Sequence, residues 1–159
     1  MHTGRRLRTA MILPLLLLDT AVAAADGGAV YLNPEGLHDA SKYYTHVVKA
    51  PKGTSVFIAG QISVDPTGAL VGPGDKEAQV RRAFTNLRTA IAAARAKPEH
   101  TVKITVYSVD HTDADLAIIG AESTALWGKK LPASTLVPVP RLARSGLLFE
   151  IDAELVVPE

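Results

Sequence analysis

The 159-residue sequence contains no cysteine. Disulfides, thiolate nucleophiles and cysteine-ligated metals are therefore excluded, and stability has to come from a packed core or from self-association. Its five histidines, His2, His38, His46, His100 and His111, show neither HxxxH nor HExxH spacing, so no metal site is expected, nor any other cofactor. The formal net charge is only +1, and without residues 1–25, which carry Arg5, Arg6, Arg8 and Asp19, it falls to −1. That balance offers no basic surface to a nucleic acid. Internal repeats, low-complexity tracts and linkers are also missing, which fits one domain large enough to bury a core.

The longest apolar run, 10–18, is too short to span a bilayer comfortably. It follows Arg5, Arg6 and Arg8 and precedes Ala21, Val22, Ala23, Ala24 and Ala25, the order of a secretory signal peptide with a small-residue cleavage site. Residues 1–25 are thus expected to be removed, leaving a 26–159 domain that is periplasmic or secreted and free of the membrane. A retained N-terminal anchor is the alternative, and the Arg5-Arg6 pair raises a twin-arginine route.

Alternation predicts an extended segment over 42–49 that puts Tyr44 and His46 on one face. Such a pair can wall a ligand or form an ordinary strand edge. Residues 55–62 read as a buried strand interrupted by Gly60, where glycine marks a bulge or a close backbone approach. A tight turn at Asp65-Pro66-Thr67-Gly68 follows. Val80, Ala83, Phe84, Leu87 and Ile91 recur at helical spacing within 75–96, with Asp75 suited to cap the first turn. The arginines of that helix read as solvated charges opposite the packing stripe. Residues 101–109 alternate as a strand, with Val102, Ile104 and Val106 on one face, and a second helix runs from Asp113 to near Gly128. Two further extended segments, 134–139 and 147–157, read as a C-terminal hairpin turning through 143–146. In its second segment Phe149, Ile151, Ala153 and Leu155 oppose Glu150, Asp152 and Glu154, so Glu150 is either a presented carboxylate or one member of a solvated acidic face. The fold class is α+β: a six-stranded mixed sheet with both helices on one face, whose other face needs cover that self-association would supply.

Several of these residues together resemble the RidA/YjgF family, the reactive-intermediate deaminases also labelled L-PSP endoribonucleases. They are Tyr44, Ala59-Gly60-Gln61, Asp65-Pro66-Thr67-Gly68, Gln79, Asn86-Leu87, Val102-Lys103, Pro132-Ala133 and Glu150. The resemblance implies a chorismate-mutase-like fold and a homotrimer with a small-molecule cleft at each subunit interface. It also implies a deaminase, a hydrolase of imines, in which an arginine after Pro-Ala grips the substrate carboxylate and the final-strand glutamate, here Glu150, positions water. This chain has Ser134 where that arginine is expected and resembles the arginine-free subgroup, which carries a histidine at the place of His46. Losing a charged hydrogen-bonding partner costs about 1.5–3 kcal/mol, roughly ten- to hundredfold in affinity for an acid. The site expected by resemblance is Glu150 for catalysis, with Tyr44, His46, Gly60, Ser134 and Thr135 against the substrate and backbone amides near Gly60 and Thr135 open to an oxyanion. The alternative is an exported, non-catalytic protein that binds a metabolite or a partner at the same cleft. The ribonuclease label draws no support from charge or from a catalytic histidine pair.

Overall fold

The computed structural model describes residues 28–159, so the expected signal segment lies outside the described residues. In chain order the elements are β1 (Val30–Leu32), β2 (Val47–Lys49), β3 (Gly53–Ile62), α1 (Lys76–Ala93), a single 3₁₀ turn (Pro98–His100), β4 (Thr101–Val109), α2 (Asp113–Trp127), β5 (Ala133–Val139) and β6 (Phe149–Pro158). Among the described residues six strands form, but in two sheets: β1 and β2 make a small antiparallel ribbon, and the other four make a mixed sheet in the order β3–β6–β4–β5.

The C-terminal hairpin does not form. β5 runs parallel to β4, and β6 lies antiparallel to β4 on its other side. The reason is the α2 crossover, which returns the chain parallel to β4 and leaves β4 between the two segments. β5 is thereby an edge strand, the position in a sheet where a proline such as Pro138 is tolerated.

Alternation on β6 falls as the sequence predicts. Phe149, Ile151, Ala153 and Leu155 are buried under the helices together with Ile104 and Val106 of β4. Phe84 of α1 anchors this layer, stacked on Phe149 at 6.1 Å between centroids and edge-on to Trp127 at 5.9 Å. On β4 a register shift between Thr101 and Lys103 gives Thr101, not Val102, the core position opposite Leu155. Asp75 caps α1 by accepting the Ala78 amide at 3.0 Å, and Gly128 ends α2 at φ +64°. Of the arginine row, Arg81 and Arg88 converge on Glu122 of α2 at 3.0 and 3.6 Å, pinning helix to helix at the surface.

Neither helix touches the opposite sheet face. Cross-strand register places Glu150 beside Tyr107, Asp152 beside Thr105 and Glu154 beside Lys103 there, with Thr135 and Val137 on β5 and Phe57, 77% exposed, on β3.

Candidate functional site

Only 47–49 of the 42–49 segment are strand, paired with β1; 42–46 are turn and irregular backbone. Strand alternation yields here to longer-range bonds. The amides of Tyr43 and Tyr44 both donate to the Ala40 carbonyl, at 2.8 and 2.9 Å. Buried Thr45 donates its hydroxyl to the Leu131 carbonyl at 2.6 Å and its amide to the Pro132 carbonyl at 3.2 Å. This tether brings the loop to the start of β5, so that Tyr44 and Ser134 line one cavity between α2 and the β4–β5 edge.

Tyr44 and His46 still lie together, with ring centroids 5.2 Å apart, and both meet His38, at 6.2 and 5.0 Å. The Tyr44 hydroxyl is 3.2 Å from His38 Nε2. His46 Nε2 lies 2.9 Å from the His38 carbonyl oxygen; since a carbonyl only accepts, His46 carries its proton on Nε2, and in the neutral ring Nδ1 keeps a free lone pair.

Glu150 and Gly60 are on the other side of the sheet. The β3 ladder shifts register between Ile58 and Gln61, and the bulge at Ala59–Gly60, supported by the Gln61 side-chain amide donating to the Ala59 carbonyl at 2.9 Å, places Gly60 directly under the Glu150 side chain. A β-carbon at residue 60 would overlap Oε1, Cδ and Cγ of Glu150. Burial first, and then the charge of Asp152 two residues along the same face, raise the Glu150 pKa above the usual glutamate value. A carboxylate raised in this way is suited to exchange a proton with water.

Thr135 shares the face of Glu150, and its hydroxyl accepts from Lys103 Nζ. Burial lowers the Lys103 pKa against the opposing pull of Asp152 and Glu154. Ser134 is on the opposite face, level with Ile104. Within one chain the expected site is therefore two half-sites, Tyr44 with Ser134, flanked by His46, on the helix side, and Gly60, Thr135 and Glu150 on the open side. Residue patterns did not point to His38, which touches both Tyr44 and His46, to the Thr45 tether, or to Tyr107 beside Glu150. Tyr107 had a legible parity on β4, but its partner strand did not. Among the described residues no three histidine or carboxylate side chains gather as metal ligands would.

The family model Endoribonuclease L-PSP matches residues 37–157. A RutC family protein of Pyrococcus horikoshii is 35% identical over 111 residues, covering 69% of this chain and 83% of its own length. Protein DfrA of Myxococcus xanthus is 32% identical over 110 residues, covering 69% and 82%. Among solved structures, YyfB of Yersinia pestis, a Rid-family protein of unknown function, aligns with a TM-score of 0.77 at 31% identity, over 82% of this chain and 99% of its own. RidA of an Antarctic Psychrobacter aligns with a TM-score of 0.59 at 30% identity, over 72% and 88%. With the α+β architecture and the two helices on one face of a mixed sheet, these matches establish that the chain belongs to the RidA/YjgF family, the family of the Endoribonuclease L-PSP model.

Proposed function

We propose that the protein is a homotrimeric hydrolase of small imines and enamines, each cleft combining the Tyr44–Ser134 half-site of one copy with the Gly60–Glu150 half-site of the next. The observation that carries this reading is the placement of the two halves on opposite sheet faces of a Rid-family chain. Among the described residues no carboxylate lines the Tyr44–Ser134 cavity and Glu150 faces away from it, so a neighbouring copy has to bring Glu150 there, and the uncovered face with exposed Phe57 gives the copies a surface to bury.

In that cleft Glu150 removes a proton from water as its oxygen adds to the C=N carbon. The resulting carbinolamine loses ammonia once nitrogen is protonated, so imine and water become carbonyl compound and ammonia. Tyr44 and Ser134 hydrogen-bond the substrate, and His46 offers its Nδ1 lone pair beside them. Backbone amides near Gly60 and Thr135 are the candidate donors to the carbinolamine oxygen as it gives up its proton and ammonia leaves. A phosphodiester would need cations, and none lines the Tyr44–Ser134 cavity, which favours the hydrolase over a ribonuclease. Ser134 in place of the carboxylate-gripping arginine favours a second reading, a non-catalytic metabolite binder at the same cleft.

Imines made in situ, from amino acids by an amino-acid oxidase and from benzylamine by an amine oxidase, would be trapped with semicarbazide. The wild-type protein should slow the initial appearance of semicarbazone for at least one of them, by diverting the imine to the slower-reacting carbonyl compound, and the Glu150→Gln variant for neither; no acceleration over free water for both imines overturns the hydrolase. Export belongs to the same proposal: full-length chain expressed with a secretion pathway should be recovered outside the cytoplasm lacking about 25 residues.

A further inference from the structure

The replacement of the expected arginine by Ser134 coincides with a second feature, the chemistry of the cavity that Ser134 lines. It has a free volume of about 200 Å3, and its apolar walls include Ile104, Val106, Leu116, Ile119 and Leu136. No lysine, arginine, histidine, aspartate or glutamate lines it; its polar lining residues are all hydroxyl-bearing, Tyr43 and Tyr44 of the loop, Ser123 on α2 and Ser134 on β5. Ser123 is 4% exposed, Ile104 3% and Val106 1%, so this is a recess in the core layer and not a surface dimple.

Volume and chemistry both limit the occupant. An apolar protein cavity of about 150 Å3 is large enough to take up benzene, so about 200 Å3 holds one six-membered ring with one or two substituent atoms. A carboxylate placed there would lose its hydration without meeting a cation, whereas a neutral amide, imine or hydroxyl finds serine hydroxyls on two walls.

We infer that this recess is a subsite for an uncharged ring-bearing group, and that the cleft takes neutral arylmethyl imines in preference to imines of α-amino acids. The recess stands on the cavity alone; its place in an imine-hydrolysing cleft rests on the proposed function.

Benzamide and benzoate have the same shape and differ in charge, so they serve as probes for the full chain, with methyl resonances as the readout. Benzamide at about 1 mM, an affinity ordinary for so few atoms, should shift the methyls of Ile104, Ile119 and Leu136, and benzoate should bind at least tenfold more weakly. Ser123→Leu fills the recess and should abolish benzamide binding without lowering the melting temperature. Ser134→Arg restores a guanidinium and should reverse the preference toward benzoate. Equal binding of the two probes to the wild type, or benzamide shifts that bypass those methyls or survive Ser123→Leu, would overturn the subsite. Loss of the subsite with imine hydrolysis intact removes this inference alone; benzamide binding with an inert Glu150 removes the hydrolase alone.

Discussion

Gly60 leaves room for Glu150: the carboxylate side chain occupies the space a β-carbon at residue 60 would fill. The clash involves Cγ as well as the carboxylate, so a larger residue has to turn the whole Glu150 side chain away rather than nudge its tip.

Gly60→Ala is therefore expected to act on the site more than on the fold. Imine hydrolysis should fall about a hundredfold, as for loss of a general base, while the melting temperature stays close to that of the wild type. Retained activity in Gly60→Ala would show that the observed Glu150 placement does not matter.

Two of the perturbed carboxylates, Glu150 and Asp115, have opposite pH signatures. The folded-state pKa of Glu150 is raised, so its contribution to stability is full below the unfolded carboxyl pKa and is lost as pH rises through the folded one. Glu150→Gln should consequently stabilise the fold at neutral pH, with the gain vanishing in acid, and wild-type activity should climb as Glu150 ionises. For Asp115, burial raises the pKa, but the Lys76 bond at 2.9 Å, the Thr112 amide at 2.8 Å and the charges of Lys76 and His111 outweigh it and lower the net value. Its stabilisation is full above the unfolded pKa and is lost as pH falls through the folded one, so Asp115→Ala should cost about 3 kcal/mol at neutral pH and little in acid. Urea titrations across pH 3–8 would check both signs.

Gln79, fully buried, donates to the carbonyls of Gly72 and Gly146 at 3.1 and 2.8 Å and accepts the Leu148 amide at 2.8 Å. It fastens α1 to the loop that launches β6. Gln79→Leu keeps the bulk but orphans three backbone groups, and should cost about 2–4 kcal/mol in chemical denaturation.

Thr45→Val tests the loop tether. It removes a buried 2.6 Å bond to the Leu131 carbonyl, and should cost about 1–2 kcal/mol and weaken benzamide binding as Tyr44 drifts from Ser134. Unchanged binding would mean that Tyr44 is held by something else.

What was legible in the sequence is what repeats with a period. α1 and β6 each bury one face against a continuous core, and their apolar spacing says so; β4 keeps its alternation only from Ile104 onward, and α2 turns Asp115, Ile119, Ser123 and Trp127 inward, a face that apolar spacing does not single out. The pairing of strands was not legible, because segments 134–139 and 147–157 are close enough to form a hairpin, and only the α2 crossover inserts β4 between them. The Tyr44 loop escaped periodicity for a related reason: Thr45 bonds Leu131, 86 residues away, and no local pattern records that. Glu150 and Ser134 could be named from motifs, but that they face opposite ways emerges only from register against Tyr107 and Ile104.

The most direct measurement is complementation between two inactive variants, Glu150→Gln and Ser134→Trp, the second of which blocks the recess. Copies carrying one lesion retain the other half-site, so each mixed ring of three has one cleft that joins two intact halves, and a random equal mixture has them in roughly a quarter of all its clefts. Co-expressed chains should recover about that fraction of wild-type imine hydrolysis, with neither parent active alone. A mixture as inert as its parents, or a protein that sediments as a single subunit, would contradict a site shared between copies.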